Sequence, residues 1–357
     1  MAVDKGHEVT IRARRLLALC GLLGLIVVLT GWLLLFQPFH GSASKATVVL
    51  VIPKGSTVDS IGKRLEDAGV ISNAGLFALR VRLGGEAGKL NAGTYVFNKD
   101  ASYSDAIGVL TGNTVATGKA VTIPEGLSRT EISPVVAAKG IKGSYLAASK
   151  GSSLLNPRDY GAPAGSTLEG FLFPSTYQLQ IPPTSTELVK AQVSAFKQQF
   201  STVNLAYARS KNLTAYDVLT IAAMIERETA MASERPLVAA VIWNRLRQHI
   251  PLGIDATTRF QYSNWSQPLL QSQLASQSPW NTRNRQGLPP GPIGNPGIAS
   301  IRAAANPAKS PFLYYVVKPW TCGQHTFSST QSGFDQAVSA YNAARNGNGG
   351  RAPTKCP

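Results

Sequence analysis

The sequence predicts an α+β protein: a membrane-spanning helix near the N-terminus, a small α+β domain, then a larger mixed α/β domain. Three observations carry that prediction. One apolar, uncharged run lies close to the start of the chain. Short strand-like stretches alternate with capped helices over residues 47–113. Beyond a Ser/Gly/Pro-rich stretch at 149–166, longer amphipathic helices and dense turn motifs take over.

The first element is the run from Leu16 to Phe36. At the rise of an α-helix it would span roughly 30 Å, the thickness of a bilayer's hydrocarbon core. Arg12, Arg14 and Arg15 precede it, so residues 1–15 read as a cytoplasmic tail and everything after Phe36 as exported. Trp32 suits the outer interface. A cleaved signal peptide would carry a shorter apolar core, typically about 7–15 residues. Gly41, Ser42 and Ala43 would still supply a cleavage site. The reading is therefore a retained anchor, residues 16–36.

After a linker, Thr47 to Ile52 alternate as a strand, and Pro53-Lys54-Gly55 turns the chain. Ser56 or Thr57 can cap a helix with Ile61 and Leu65 on one face and Gly69 as its stop. A second helix runs from about Asn73 to Leu83, ended by Gly84-Gly85. Thr94 to Phe97 is a strand, and Ser104 caps a helix ending near Gly112. Residues 114–166 form a connecting unit and linker. That unit echoes the first: Ile52-Pro53-Lys54-Gly55 recurs 71 positions on as Ile123-Pro124-Glu125-Gly126, with Ile61 on Ile132 and Gly69 on Gly140. Pro134 would suit the first turn of a helix capped by Ser133. Every chemically suggestive motif lies in 167–345. Residues 346–357 read as a flexible tail unless Cys356 pins them.

The net charge is +16, which favours an anionic partner. The basic residues are scattered, with no zinc-finger spacing or RNP motif, so nucleic acid is not an expected partner. The four His are too dispersed for a metal cluster. Of three Cys, Cys20 lies in the apolar run. Cys322 and Cys356 could pair if exported, or remain free thiols.

The chemistry centres on the helix from Leu219 to Ala230. Ile221, Met224 and Ile225 form an apolar stripe, and Glu228 falls on that stripe. Burial there would raise its pKa, which a general acid near neutrality needs. The plainer reading has Glu228 reach solvent at the end of the stripe or pair with Arg227 or Arg235. Glu226 points to another side, so these two are not the paired carboxylates of an ordinary glycosidase; Glu226 makes a supporting contact or faces solvent. Val238 to Leu246 is a helix whose Asn244-Arg245 pair could line a cleft. Pro251 to Tyr262 reads as a loop around Asp255, which orients a sugar hydroxyl or makes an Asx turn. Trp280 offers a stacking face; Asn281 and Thr282 offer hydroxyl contacts. The Pro-rich Gly287 to Gly297 stretch is a stiff loop. His325 follows a strand at Leu313 to Val317. No nucleophile elbow, P-loop or dinucleotide fingerprint is present.

Taken together, Leu168-Glu169-Gly170-Phe171-Leu172-Phe173-Pro174, Ile225-Glu226-Arg227-Glu228-Thr229-Ala230, Ser233-Glu234-Arg235, Trp243-Asn244-Arg245-Leu246, Asn281-Thr282, Gly287-Leu288-Pro289-Pro290-Gly291-Pro292-Ile293, Asn306-Pro307-Ala308-Lys309 and His325-Thr326-Phe327 form a set. In these motifs and their order the chain resembles the endolytic murein transglycosylases, the YceG-like proteins. The resemblance implies a single-pass protein of the bacterial inner membrane that acts on nascent peptidoglycan. It makes 47–113 a LysM-like domain and 167–345 the catalytic domain. It places the catalytic glutamate on Glu228, with Glu169, Asn244, Asp255, Asn281, Thr282 and His325 as candidate substrate contacts. It implies cleavage between N-acetylmuramic acid and N-acetylglucosamine without water, leaving 1,6-anhydro ends and terminating glycan elongation. No metal or organic cofactor is implied. Peptidoglycan synthases are the expected protein partners. A muramidase-type hydrolase using Asp255 or Glu169, and a non-catalytic glycan-binding scaffold, are the competing readings. The chain departs from the family pattern at Ser175, at Gly253-Ile254-Asp255-Ala256 and at Trp320-Thr321-Cys322.

Overall fold

A computed structural model describes residues 22–26, 28–37, 40, 46–112, 118–180 and 182–356. The chain divides into two compact units, Met1–Thr117 and Gly118–Pro357. The expected cytoplasmic tail and residues 16–21 and 27 of the expected anchor lie outside the described residues. Residues 22–26 and 28–36 are helical and present Leu22, Leu25, Val28 and Leu29 outward. Among the described residues, no helix is long and apolar enough to cross a membrane.

In the first unit, β1 (Thr47–Ile52) pairs antiparallel with β2 (Gly93–Asn98), Thr47 opposite Asn98 and Ile52 opposite Gly93. Two helices connect them. Helix α1 (Val58–Asp67) is capped by Thr57, which accepts from Ser60 N. Helix α2 (Ala74–Leu83) is capped by Asn73. A third helix, α3 (Tyr103–Thr111), follows β2. Its cap is Ser102 rather than Ser104, two residues earlier than the sequence suggested, because the Ser102 hydroxyl accepts from Asp105 N. Ile52, Leu65, Val70, Phe77, Phe97, Tyr103 and Leu110 close the core between strands and helices.

The second unit opens with β3 (Gly118–Thr122), antiparallel to β4 (Thr176–Gln180). The turn after β3 leads into α4 (Arg129–Ala138). Pro134 lies inside α4, not in its first turn. Ser128 and Glu131 form a reciprocal capping box that starts the helix five residues before Ser133 could. The echo is therefore positional. Ser128 is the equivalent of Thr57. Ile141 N bonds Val136 O as Val70 N bonds Leu65 O, and both stop glycines, Gly69 and Gly140, have left-handed backbones. Residues 118–166 belong to the same compact unit as the segment that follows.

Helix α5 (Ser185–Phe200) comes next, then α6 (Ala215–Glu228), the axis of this unit. Val218 to Ile225 are all buried in α6. Around it pack α7 (Arg235–Arg247), α8 (Asp255–Gln261) and α9 (Ile298–Ala305). Alanines at 222, 223, 303 and 304 are buried and keep these helices close. The stretch read as a loop around Asp255 is thus partly helical. Asp255 opens α8 as its first-turn acid, where the helix dipole favours a negative charge, and Ala256, Thr257 and Thr258 anchor it by burial.

The chain ends with a hairpin, β5 (Tyr314–Val317) and β6 (His325–Ser328), covered by α10 (Gln331–Gly347). Cys322 and Cys356 form a disulfide. Trp320 N donates to Pro353 O and Lys355 N to Thr321 O, so the end of the chain is tied to the β5–β6 turn.

Candidate active site

Glu228 is the last residue of α6. The helix is fixed at its far end by a Thr214–Asp217 capping box and along its length by the buried stripe Ile221, Met224 and Ile225. Thr229 is extended, and its N–H closes the last turn on Ile225 O. The acid therefore stands where the helix stops and the chain turns away. Its side chain meets neither Arg227 nor Arg235. Instead Tyr315 Oη donates to Glu228 Oε2 at 2.7 Å. Burial pushes the Glu228 carboxyl above its ordinary range, and the negative charge of Asp255 pushes the same way. The Tyr315 hydrogen bond and the charges of His325 and Arg283 oppose the rise without cancelling it.

Each of those neighbours is held in turn. Asp255 Oδ1 receives Arg283 Nε at 2.5 Å. Tyr315 lies on β5 two residues from Val317, whose partner across the hairpin is His325, and the Tyr315 and His325 rings meet edge to face at 5.3 Å. Glu234 fixes His325: its carboxylate receives the His325 backbone N–H at 2.8 Å and sits 2.7 Å from Nδ1. The Thr229 hydroxyl, next to Glu228 in the chain, donates to the same carboxylate. Glu234 thus links the exit of α6 to strand β6.

A second network sets the end of α6 from behind. Glu226 accepts from Gly297 N at 2.9 Å and from Arg235 Nη2 at 3.1 Å, so of the two sequence readings it makes the supporting contact. Arg227 pairs with Glu131 and lies over the Trp265 ring at 3.6 Å. Asn295, 1% exposed, uses its whole amide. Oδ1 accepts from Gly170 N and Leu172 N, while Nδ2 donates to Leu127 O and Glu169 Oε1. Gly170 adopts a left-handed backbone against Pro292, where a Cβ would lie 2.6 Å from the proline ring. The Pro-rich loop is therefore a brace that only glycine at 170 admits.

The other residues singled out in the sequence fall in three places. His325 and Asp255 surround Glu228 electrostatically. Glu169 sits apart, accepting from Arg129 N and Asn295; burial raises its pKa to about 7. It lines a cavity of about 420 Å³ with Arg129, Tyr216, Phe260, Trp280 and Pro292. Asn244, Asn281 and Thr282 are buried and work inside the protein. Asn244 Nδ2 donates to Ser310 O and Phe312 O ahead of β5. Asn281 Nδ2 donates to Leu274 O and Ser276 O, and Thr282 Oγ1 accepts from Ile254 N beside Asp255.

Sequence reasoning missed Tyr315, Arg283, Glu234 and Asn295 as site-builders. Glu234 lay in the Ser233-Glu234-Arg235 motif and Asn295 in the Pro-rich 287–297 stretch, and a polar side chain set in a turn-rich segment was the available signal. Tyr315 gave none, since a tyrosine in a short strand reads as core.

Comparison with known proteins identifies the chain's family. The YceG-like family model matches residues 50–340. An endolytic murein transglycosylase of Bacillus subtilis (strain 168) is 31% identical over 317 residues, covering 85% of this chain and 87% of the relative. The enzyme of the same name from Streptococcus pneumoniae (strain ATCC BAA-255 / R6) is 30% identical over 329 residues, and the match spans only 59% of its length. The crystal structure of a yceG-like protein from Listeria monocytogenes superposes with a TM-score of 0.54 at 25% identity, covering 82% of this chain and 99% of that one. With a family model matched over most of its length, the chain belongs to the YceG-like family.

Proposed function

We propose that the chain is an endolytic murein transglycosylase in which Glu228 is the acid and then the base. The observation that carries the reading is a single glutamate at the end of a buried helix, its carboxyl pushed upward by burial and tied to a tyrosine hydroxyl. A protonated Glu228 gives its proton to the glycosidic oxygen of the N-acetylglucosamine leaving group as the C1–O bond breaks. The resulting carboxylate takes the proton of the muramoyl 6-hydroxyl, whose oxygen bonds to C1. One carboxylate serves both steps, and the ring closure yields a 1,6-anhydro end.

Asp255 is the test of the hydrolase alternative. Its carboxylate is taken up by an ion pair with Arg283, so a charged side chain competes with any water for it, which supports the non-hydrolytic reading. Arg283 and Asp255 border the acid as candidate sugar contacts, with His325. Asn244, Asn281 and Thr282 act by shaping the cleft. The β–α–α–β order of residues 47–98 supports a LysM-like glycan-binding role for the first unit. The apolar run 16–36 serves as a membrane anchor, placing the enzyme on nascent strands, where cutting terminates elongation and synthases are natural partners.

The test is digestion of purified peptidoglycan by the wild-type protein and by Glu228→Gln, with the released ends read by mass. Anhydro-muramic ends from the wild type, and at least a 100-fold loss in the variant at unchanged thermal stability, are expected. Reducing ends would replace this reading with hydrolysis, and cleavage by the variant would remove Glu228 from it.

A further inference from the structure

Glu228 has two oxygens in unlike surroundings. Oε2 receives the Tyr315 hydroxyl, whereas Oε1 has no hydrogen-bond partner among the described residues. Tyr315 is itself tightly fixed. The strand register puts it opposite Phe327, its ring meets those of His325 and Phe327, and Arg245 anchors the strand's approach by donating to Leu313 O at 2.6 Å. His325 cannot drift, because Glu234 holds both its backbone N–H and its Nδ1. The hydroxyl therefore points at one oxygen of one carboxylate from a rigid hairpin.

Resting on the transglycosylase reading above, we propose that Tyr315 is a positioning residue that holds Glu228 Oε2 through both proton transfers, so that Oε1 alone gives the proton to the glycosidic oxygen and takes it from the 6-hydroxyl. A carboxyl free to rotate would present either oxygen and lose alignment between the two steps. A donor fixed on Oε2 removes that freedom and stabilises the carboxylate formed after the first transfer. The hydroxyl remains a donor throughout. Burial and the adjacent Glu228 charge push its own ionisation far above the ordinary range, against a smaller opposing effect from Arg245.

The charged and titratable groups facing Glu228 are Tyr315 from β5, His325 from β6, Asp255 from α8 and Arg283 from the loop beyond it. Of these, Tyr315 is the largest single influence lowering the Glu228 pKa. Removing its hydroxyl leaves burial and Asp255 less opposed. The carboxyl then stays protonated to higher pH, and the alkaline limb of the activity profile moves upward.

The experiment compares wild type with Tyr315→Phe, following anhydro-end formation across pH. The expected result is a fall in kcat of roughly 10- to 100-fold, the loss of one hydrogen bond to a charged group, with KM little changed and the alkaline limb shifted up. A fluorinated tyrosine placed at 315 keeps the shape and strengthens the donor, so its limb should move down. If Tyr315→Phe is misfolded, the fluorinated protein decides alone. Unmoved limbs, or a wild-type rate in Tyr315→Phe, overturn the assignment of Tyr315 while leaving the reaction intact. Absence of anhydro ends from the wild type instead overturns the reading on which it rests.

Discussion

The two strand–turn–helix segments at 47–71 and 118–142 share a backbone and differ in what their turns touch. Gly55 and Gly126 both have φ +82°, both following helices begin at a hydroxyl cap, and both end at a left-handed glycine. In the first, Lys54 and Gly55 are exposed and nothing lies within 4 Å of where a Cβ on Gly55 would be. In the second, Gly126 is buried, its N–H donates to Asn295 O, and Asn295 N donates back to Leu127 O. Glu125 lies near Arg235 and Glu226, and burial beside Glu226 raises its pKa. The contrast teaches that local sequence sets the shape of such a unit, and distant residues decide whether it stays decorative or braces the helix that carries Glu228.

The strongest way to break the contrast is Asn295→Ala, which has no counterpart in the first segment. It orphans the buried N–H groups of Gly170 and Leu172, at about 1–3 kcal/mol each. Denaturant unfolding of the protein should show a loss in that combined range, with cleavage falling in parallel; a loss under 1 kcal/mol would mean the brace is idle. Next comes the glycine pair. Gly55→Ala and Gly126→Ala each force a left-handed alanine, at about 1–2 kcal/mol. At 126 alone the new Cβ meets Glu226 Cγ at 3.3 Å, so only that variant should also lose activity, by roughly two- to tenfold, near 1 kcal/mol of transition-state stabilisation. Equal activities in the two would erase the distinction. The smallest effect is at the caps. Thr57→Ala should cost about 1 kcal/mol in thermal or denaturant unfolding. Ser128→Ala should exceed it, because Ser128 is fully buried and its Glu131 partner also holds Arg227.

What the sequence made legible was local. The cap at Ser56 or Thr57, the helix start near Asn73, the glycine stops and the apolar stripe that singled out Glu228 all follow from rules acting within a few residues. The failures have the same explanation. Pro251 and Gly253 advertised a loop, and hid a seven-residue helix starting at Asp255 that is held by burial rather than propensity. Pro134 advertised a helix start, where the Ser128–Glu131 box decided otherwise. The partners that complete the site are distant: Tyr315 reaches Glu228 across 87 positions and His325 reaches Glu234 across 91, so no window of sequence contains either pair. Asn244, Asn281 and Thr282 read as substrate contacts in the sequence and are internal clamps in the structure, because residue type alone does not tell the two apart.

Asn295 binds to segments 168, 126, 125 and 123 positions earlier in the chain. Such links carry a high loop-closure cost, so they form late, after local helices and hairpins have appeared. The end of α6 receives its tie to Gly297 from the same loop. Helix α6 can therefore wind early, with Glu228 already on it, while the acid's surroundings wait for the last long-range closures. In folding-time terms the dangerous part of this molecule is assembled last, and a half-folded chain carries a glutamate but not yet a blade.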